Sequence, residues 1–348
     1  MQKNKAILLL QDNTVFNGYQ FGANQERIGE LTCVTDMTGV TELLSDPASA
    51  GKMICMIYPE IGVDGVNPED MESGKIHAEA IAVKSYARTY SNWRAKLSLE
   101  EWITKNQTPG IYGIDTRALF AHIRKNGPMT AIISSTEFNT EILAQKIKNY
   151  NSSQHKNLHD STARKTANEI KSESPTKRIA ILDLGAPNSF ISEIAKKQAE
   201  IKLFPIHSTI NDWKAWNADC LIISSGTEYL NTELISLIQN VLDKIPIVGI
   251  ETGAILLAKA CGANIEKMNM AHYGSNHPIT YKNKHILCKQ RHSLGIKEPL
   301  PSNLTTISTN AIDKSIEVFA HTELPVFGFL PRVSVDLWWD GLGTNKPW

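Results

Sequence analysis

The chain has 348 residues, with 36 Lys or Arg balanced by 36 Asp or Glu, so its formal net charge is zero. That balance argues against nucleic acid and against an acidic membrane surface as partners. Hydrophobic residues make up 42% and charged residues 21%, the composition of a globular protein, and no apolar run approaches the ~18–20 residues of a membrane span. At roughly 100–200 residues per domain, two domains are expected. The opening MQKNKAILLLQDNTVF reads as a first strand, because its apolar run is shorter than the about 7–15 residues of a leader peptide. Cys33, Cys55, Cys220, Cys261 and Cys288 are scattered and lack C-x-x-C spacing. They read as reduced thiols of a cytoplasmic protein, not as a disulfide framework or zinc site.

Lys5–Leu10 and Thr14–Phe16 flank Asp12-Asn13 and predict a hairpin, and short strands follow to Thr32. Asp36-Met37-Thr38-Gly39 predicts a turn, Thr41–Leu44 a short amphipathic piece, and Lys52–Tyr58 another strand. Pro59–Asp70 is a loop too long for mere connection. Ala80–Lys84 reads as a strand. Leu99–Lys105 reads as a helix capped by Ser98, and a second helix opens at Asp115 or Thr116 and ends at Gly127. Ala131–Ser134 is the last strand expected in this half. The predicted first domain, residues 1–150, is therefore α+β. Residues 151–177 are polar and end Ser-Glu-Ser-Pro, which predicts a linker, either structureless or with a loosely packed helix.

From Arg178 strands and helices alternate: strands at Ile179–Leu184, Glu200–Phe204, Cys220–Ser224 and Pro246–Ile250, with helices at Ser189–Gln198, Asn211–Trp216, Thr232–Asp243 and Ala254–Cys261. This pattern predicts βαβ units and a mostly parallel sheet over residues 178–348. Shorter strands follow at Pro278–Tyr281, His285–Gln290, Leu304–Ser308, Ser315–His321 and Val326–Leu330. Ligands of such sheets sit at the carboxyl ends of strands. The end at Gly249-Ile250-Glu251-Thr252-Gly253 has the frame of a nucleophile elbow, Gly-x-X-x-Gly between strand and helix. The middle residue of such an elbow is Ser or Cys in an enzyme; here it is Glu251. A carboxylate is a far poorer nucleophile than an activated hydroxyl or a thiolate.

Several separate segments, in order along almost the whole chain, resemble the small subunit of carbamoyl-phosphate synthetase. In the first half these are Thr35–Gly39 with Glu42–Pro47, Tyr58–Gly62 with Gly65 and Asn67, and Ile114–Arg117 with Arg124–Gly127. In the second they are Asp183-Leu184-Gly185, Gly274–Pro278 and the elbow. The resemblance implies an N-terminal small-subunit domain followed by a flavodoxin-like class I glutamine amidotransferase domain. In active relatives a Cys thiolate at the elbow attacks glutamine, a His held by a Glu moves the proton, and backbone N–H groups hold the oxyanion. Ammonia then passes to a large, ATP-using subunit.

The resemblance also implies which positions have changed. Glu251 stands where the nucleophilic Cys is expected. Leu330, Pro331 and Arg332 replace the strand end that carries the His and Glu of the triad. The glutamine-holding positions correspond to Asp36, Gly226, Glu228, Thr252, Ile255, Arg291, Ser293 and Leu294. A Trp-rich tail, Asp336–Asp340, replaces a C-terminal helix.

The bland readings are these. Glu251 is a helix-capping acid, against occlusion of the old pocket or a new ligand contact; Cys261 is a packing thiol, against a relocated nucleophile; Asp36 and Glu228 are solvated acids, against a site for a new cationic ligand. His272, His277 and His292 lie on different segments without ligand spacing, so no metal is expected, and no cofactor. Trp338-Trp339 is either a partner site or packing on the chain's own surface. The loop Pro59–Asp70 and the helix Ile114–Gly127 keep family-like sequence and are candidates for contact with a large subunit. The expectation is a small-subunit homologue without glutaminase activity, serving as structural or regulatory partner of a large subunit. The alternatives are an active glutamine-hydrolysing subunit feeding pyrimidine or arginine synthesis, and a free-standing binding protein.

Overall fold

The computed structural model describes residues 4–150, 158–281 and 283–342. The chain forms two compact units: Met1–His155 with Asn269–Tyr273, and Lys156–Met268 with Gly274–Trp348. Among the described residues no helix is long and apolar enough to cross a membrane.

The first unit holds β1 (Lys5–Leu10), β2 (Val15–Gly22), β3 (Arg27–Val34), β4 (Lys52–Met56), β5 (Glu60–Ile61), β6 (Ala80–Val83), β7 (Ser85–Tyr86), β8 (Pro109–Tyr112) and β9 (Thr130–Ser134). Seven of them close a barrel in the order β1-β2-β8-β6-β4-β3-β9, and β5 pairs with β7. The two-residue period of a strand sorts β1 by face. Ala6, Leu8 and Leu10 join Leu31, Met53, Cys55, Ala80, Ala82 and Ala131 in one core cluster. Ile7 and Leu9 point the other way, onto Leu143 and Ile147.

Helices α1 (Val40–Ser45), α2 (Leu99–Lys105), α3 (Thr116–Asn126) and α4 (Thr140–Asn149) complete this unit. Ser98 and Glu101 form a reciprocal capping box on α2. Asp115 accepts the N–H groups of Arg117 and Ala118 at the start of α3, and Gly127 ends that helix at φ 86°. Both caps fall where the sequence puts them. Closure of the strands into a barrel and helix α4 were not expected. The signal for α4 was present: Asn139 caps it, and Leu143 and Ile147 are four residues apart on one face.

The second unit runs α5 (Leu158–Thr162), β10 (Asn168–Ile170), β11 (Arg178–Leu182), α6 (Asn188–Ala195), β12 (Glu200–Phe204), α7 (Ile210–Ala215), β13 (Cys220–Ile223), α8 (Thr232–Gln239), β14 (Ile247–Ile250), α9 (Thr252–Ala260), β15 (Asn264–Tyr281), β16 (Lys284–Lys297), β17 (Leu304–Asn310), β18 (Ile316–His321) and β19 (Val326–Phe329). Its sheet has the order β10-β12-β11-β13-β14-β19-β18-β17-β15-β16. The central strands β12, β11, β13, β14 and β19 are parallel. This is the flavodoxin-like order, with ligand positions at the carboxyl ends.

Two expectations are corrected here, and the two readings of the tail are told apart. The linker over 151–177 falls partly outside the described residues, but its later part is structured. β10 adds an antiparallel edge to β12, and α5 covers strand ends. Arg164 forms an ion pair at 2.9 Å with Asp183, whose side chain is fully buried, and the Thr162 hydroxyl donates to the Leu184 carbonyl. A buried carboxylate needs such a partner, and the polar composition concealed it. The short strands expected at 278–281 and 285–290 belong to the much longer β15 and β16. Finally, Trp338 is 1% exposed and packs in the core beside Phe329, ring centroids 6.1 Å apart. Of the two readings of the tail, packing on the chain's own surface holds for it.

Candidate functional site

The β14–α9 turn is an elbow in backbone as well as in sequence. Glu251 has φ 50° and ψ −115°, a region an L-residue enters only when its surroundings over-determine it. The surroundings are tight. A Cβ on Gly253 would stand 2.1 Å from the carbonyl oxygen of Ile223, and one on Gly249 would stand 2.7 Å from the Gly253 carbonyl oxygen. The Glu251 N–H donates to the Phe329 carbonyl at 2.7 Å, tying the elbow to the end of β19.

The Glu251 carboxylate does not cap α9; no side-chain cap bond is made. It turns instead to Arg332, just past β19. Arg332 Nε lies 3.0 Å from Oε1 and Nη2 lies 2.9 Å from Oε2. The side chains are 1% and 11% exposed. A parallel two-bond fork between guanidinium and carboxylate is the strongest geometry available to this pair. Burial removes the competing water. Arg332 is itself anchored, its N–H donating to the Lys289 carbonyl at 2.8 Å.

Glu228 is not a solvated acid either. Its Oε1 accepts the N–H of Leu294 at 2.9 Å and that of Ser293, and its Oε2 accepts the Ser293 hydroxyl at 2.8 Å. The Thr252 hydroxyl donates to the Gly226 carbonyl at 2.8 Å. Gly226 lies against the end of β11, where a Cβ would meet the Leu184 carbonyl oxygen at 2.2 Å. The structure thus joins Glu251 with Arg332, Thr252 with Gly226, and Glu228 with Ser293 and Leu294. Ile255 and Leu330 are core residues, 1% and 0% exposed, and Arg291 is buried at 4%. Pro331 links Leu330 to Arg332. Asp36 is half-buried and lies in the first unit.

We expect Glu228→Ala to cost about 1–3 kcal/mol, because two N–H groups and a hydroxyl lose a charged acceptor together. Glu228→Gln, which keeps one acceptor oxygen, should cost less. Urea unfolding of the two variants checks this.

Cys261 is 6% exposed on its helix end, and burial pushes its thiol up to about 12, so it is inert as a nucleophile. His292 is 1% exposed and its Nε2 lies 3.7 Å from Glu317 Oε2. Burial works against its protonation, but Glu317 first, then Glu228 and the Leu294 carbonyl, raise its pKa above the ordinary value. His277 belongs to the second unit and His272 to the segment grouped with the first.

One buried residue had no signal in the sequence. His159 on α5 is 1% exposed and meets Tyr229 edge-on, ring centroids 5.8 Å apart. Burial lowers its pKa to about 4. A polar stretch gave no reason to place it inside.

Comparison with known proteins agrees with this architecture. Residues 8–133 match the family described as carbamoyl-phosphate synthase small chain, CPSase domain. Residues 180–329 match glutamine amidotransferase class-I. The carbamoyl phosphate synthase small chain of Aquifex aeolicus is 33% identical, covering 93% of this chain and 92% of that protein. The small chain of Syntrophotalea carbinolica is 33% identical over 93% of this chain and 91% of that one. The pyrimidine-specific small chain of Bacillus subtilis is 32% identical over 93% and 89%. Among solved structures, a glutamine amidotransferase from Thermotoga maritima aligns with 48% of this chain and 84% of its own, at 14% identity and a TM-score of 0.37. Sequence similarity to the small chains along nearly the full length places the protein in the carbamoyl phosphate synthase small chain family, with a glutamine amidotransferase domain as its second half.

Proposed function

We propose that this chain is a small subunit without glutaminase activity. It acts as structural or regulatory partner of a large, ATP-using carbamoyl phosphate synthase subunit that takes ammonia from solution. The observation that carries the reading is the buried Glu251–Arg332 fork. The resemblance puts the nucleophile at the first of these positions and the His-orienting acid at the second. A salt bridge now fills both.

The chemistry follows from the fork. Both Glu251 oxygens are engaged by Arg332, so neither is free to attack. Attack on an amide would in any case leave a mixed anhydride. With Leu330 at the position of the base, nothing takes or returns a proton. Loss of a nucleophile alone costs on the order of 10⁶-fold in serine protease logic. The bonds from Glu228 to Ser293 and Leu294 also occupy donors at positions where the resemblance puts substrate contacts.

The test is co-purification of the tagged chain with a large subunit, followed by two assays on the complex. Ammonia release from glutamine should equal the enzyme-free control, and carbamoyl phosphate should form with ammonium as nitrogen donor. Glutamine turnover at an ordinary enzyme rate overturns the loss of activity. Failure to capture a large subunit overturns the partnership. Glu251→Cys alone should not restore hydrolysis, since it supplies a thiol but no base.

A further inference from the structure

The barrel holds a second chemistry that the amidotransferase half does not use. β3 and β4 are parallel neighbours, and their register sets Cys33 directly opposite Cys55. Residues paired this way project to the same face, with Cα atoms about 4.7–4.9 Å apart. A disulfide needs about 4.4–6.8 Å. Cys55 is fully buried in the core cluster, and Cys33 packs against that cluster half-buried.

Cys33 also lines a cavity of about 30 Å³ with Leu31, Phe120, Ile123 and Arg124. A water needs on the order of 10–15 Å³ on the same measure. The cavity therefore admits a molecule of a few heavy atoms and excludes a peptide thiol.

We propose that Cys33 and Cys55 are a peroxide-oxidisable pair that closes to a disulfide between β3 and β4. Cys33 is the first sulfur to react. It attacks hydrogen peroxide, the O–O bond breaks, and Cys33 becomes a sulfenic acid with release of water. The Cys55 sulfur then attacks the Cys33 sulfur. The S–S bond forms, the S–O bond breaks, and the hydroxyl leaves with the Cys55 proton as a second water. Two electrons pass from the thiols to the peroxide.

The order of the two steps fits the surroundings. The Cys55 thiol shares a hydrogen bond with Cys33 and is buried, and both effects hold its pKa well above the ordinary value. Cys55 therefore resolves and does not initiate. The remaining thiols do not compete. Burial pushes Cys220, Cys261 and Cys288 each up to about 12. The bond would tie the strands near their carboxyl ends, at the roots of the 35–39 turn and of the 59–70 loop.

The test treats the full native chain with a small molar excess of hydrogen peroxide. Thiols are then alkylated in denaturant, and intact and peptide masses are read. Alkylatable thiols should fall from the five of the sequence to three. A Cys33–Cys55 cross-linked peptide should appear and should vanish with dithiothreitol. Cys33→Ser should abolish the cross-link, while Cys55→Ser should leave a dimedone-reactive sulfenic acid at Cys33. Five alkylatable thiols after peroxide, or a cross-link between other cysteines, overturns the proposal. The unaltered chain alone decides between these outcomes, so the test does not depend on a variant folding.

Discussion

Arg332→Ala should destabilise the second unit by about 3–5 kcal/mol, the largest effect expected of any single change at this site. The cause is the charge left behind and not the bonds lost. Glu251 is 1% exposed, and a carboxylate held there without its cation has neither water nor a counter-charge. Glu251→Ala takes the carboxylate from the guanidinium, but that side chain is 11% exposed and reaches water more readily, so the loss should be smaller. The double variant should cost less than the sum of the two. The coupling should be on the order of 1–3 kcal/mol. Urea unfolding followed by tryptophan fluorescence measures all three, with Trp338 beside Phe329 as a reporter on the neighbouring strand. Additive losses would show that the two residues do not act as a pair.

The second large effect is expected at Gly253. An alanine there puts a Cβ 2.1 Å from the Ile223 carbonyl oxygen and 2.8 Å from that of Ser224. Both obstacles are backbone atoms of β13 and its end, so no rotamer change relieves the clash. The helix must shift away from the sheet. Overpacking of this kind costs about 1–3 kcal/mol, and more where nothing can yield, so Gly253→Ala belongs at or above the top of that range. Gly262→Ala is the control. Nothing lies within 4 Å of its added carbon, though φ is +96°, so only the backbone strain of a left-handed alanine remains. Equal losses at the two positions would mean that space at the elbow is not what requires Gly253.

Much of this fold can be read from local pattern. The Ser98 box, the Asp115 cap, the alternating second half and the Gly-framed elbow each depend on residues within a few positions of one another, and each forms where expected. What the pattern hides depends on distant partners. Nothing near residue 160 announces that Asp183 needs the cation of Arg164. The polar stretch therefore reads as linker although it seals strand ends. The strands of the first half are visible singly, but barrel closure rests on β1 pairing with β9, far apart in sequence. The site shows the same division. Glu251 is conspicuous at once, yet taken alone it looks like a helix cap. Its partner lies 81 residues away, and only the pairing turns two odd letters into one interaction.

The Glu251–Arg332 fork also constrains the route by which it arose. The function proposed above takes these positions to hold a cysteine and a glutamate in active relatives. Replacing the cysteine first would set two carboxylates side by side in a closed space, a step that costs several kcal/mol unless one takes a proton. Replacing the glutamate first sets a guanidinium beside a thiol, which can answer by ionising. The passable order is arginine before glutamate. An ancestor on that path would have lost the orienting acid while still carrying its cysteine.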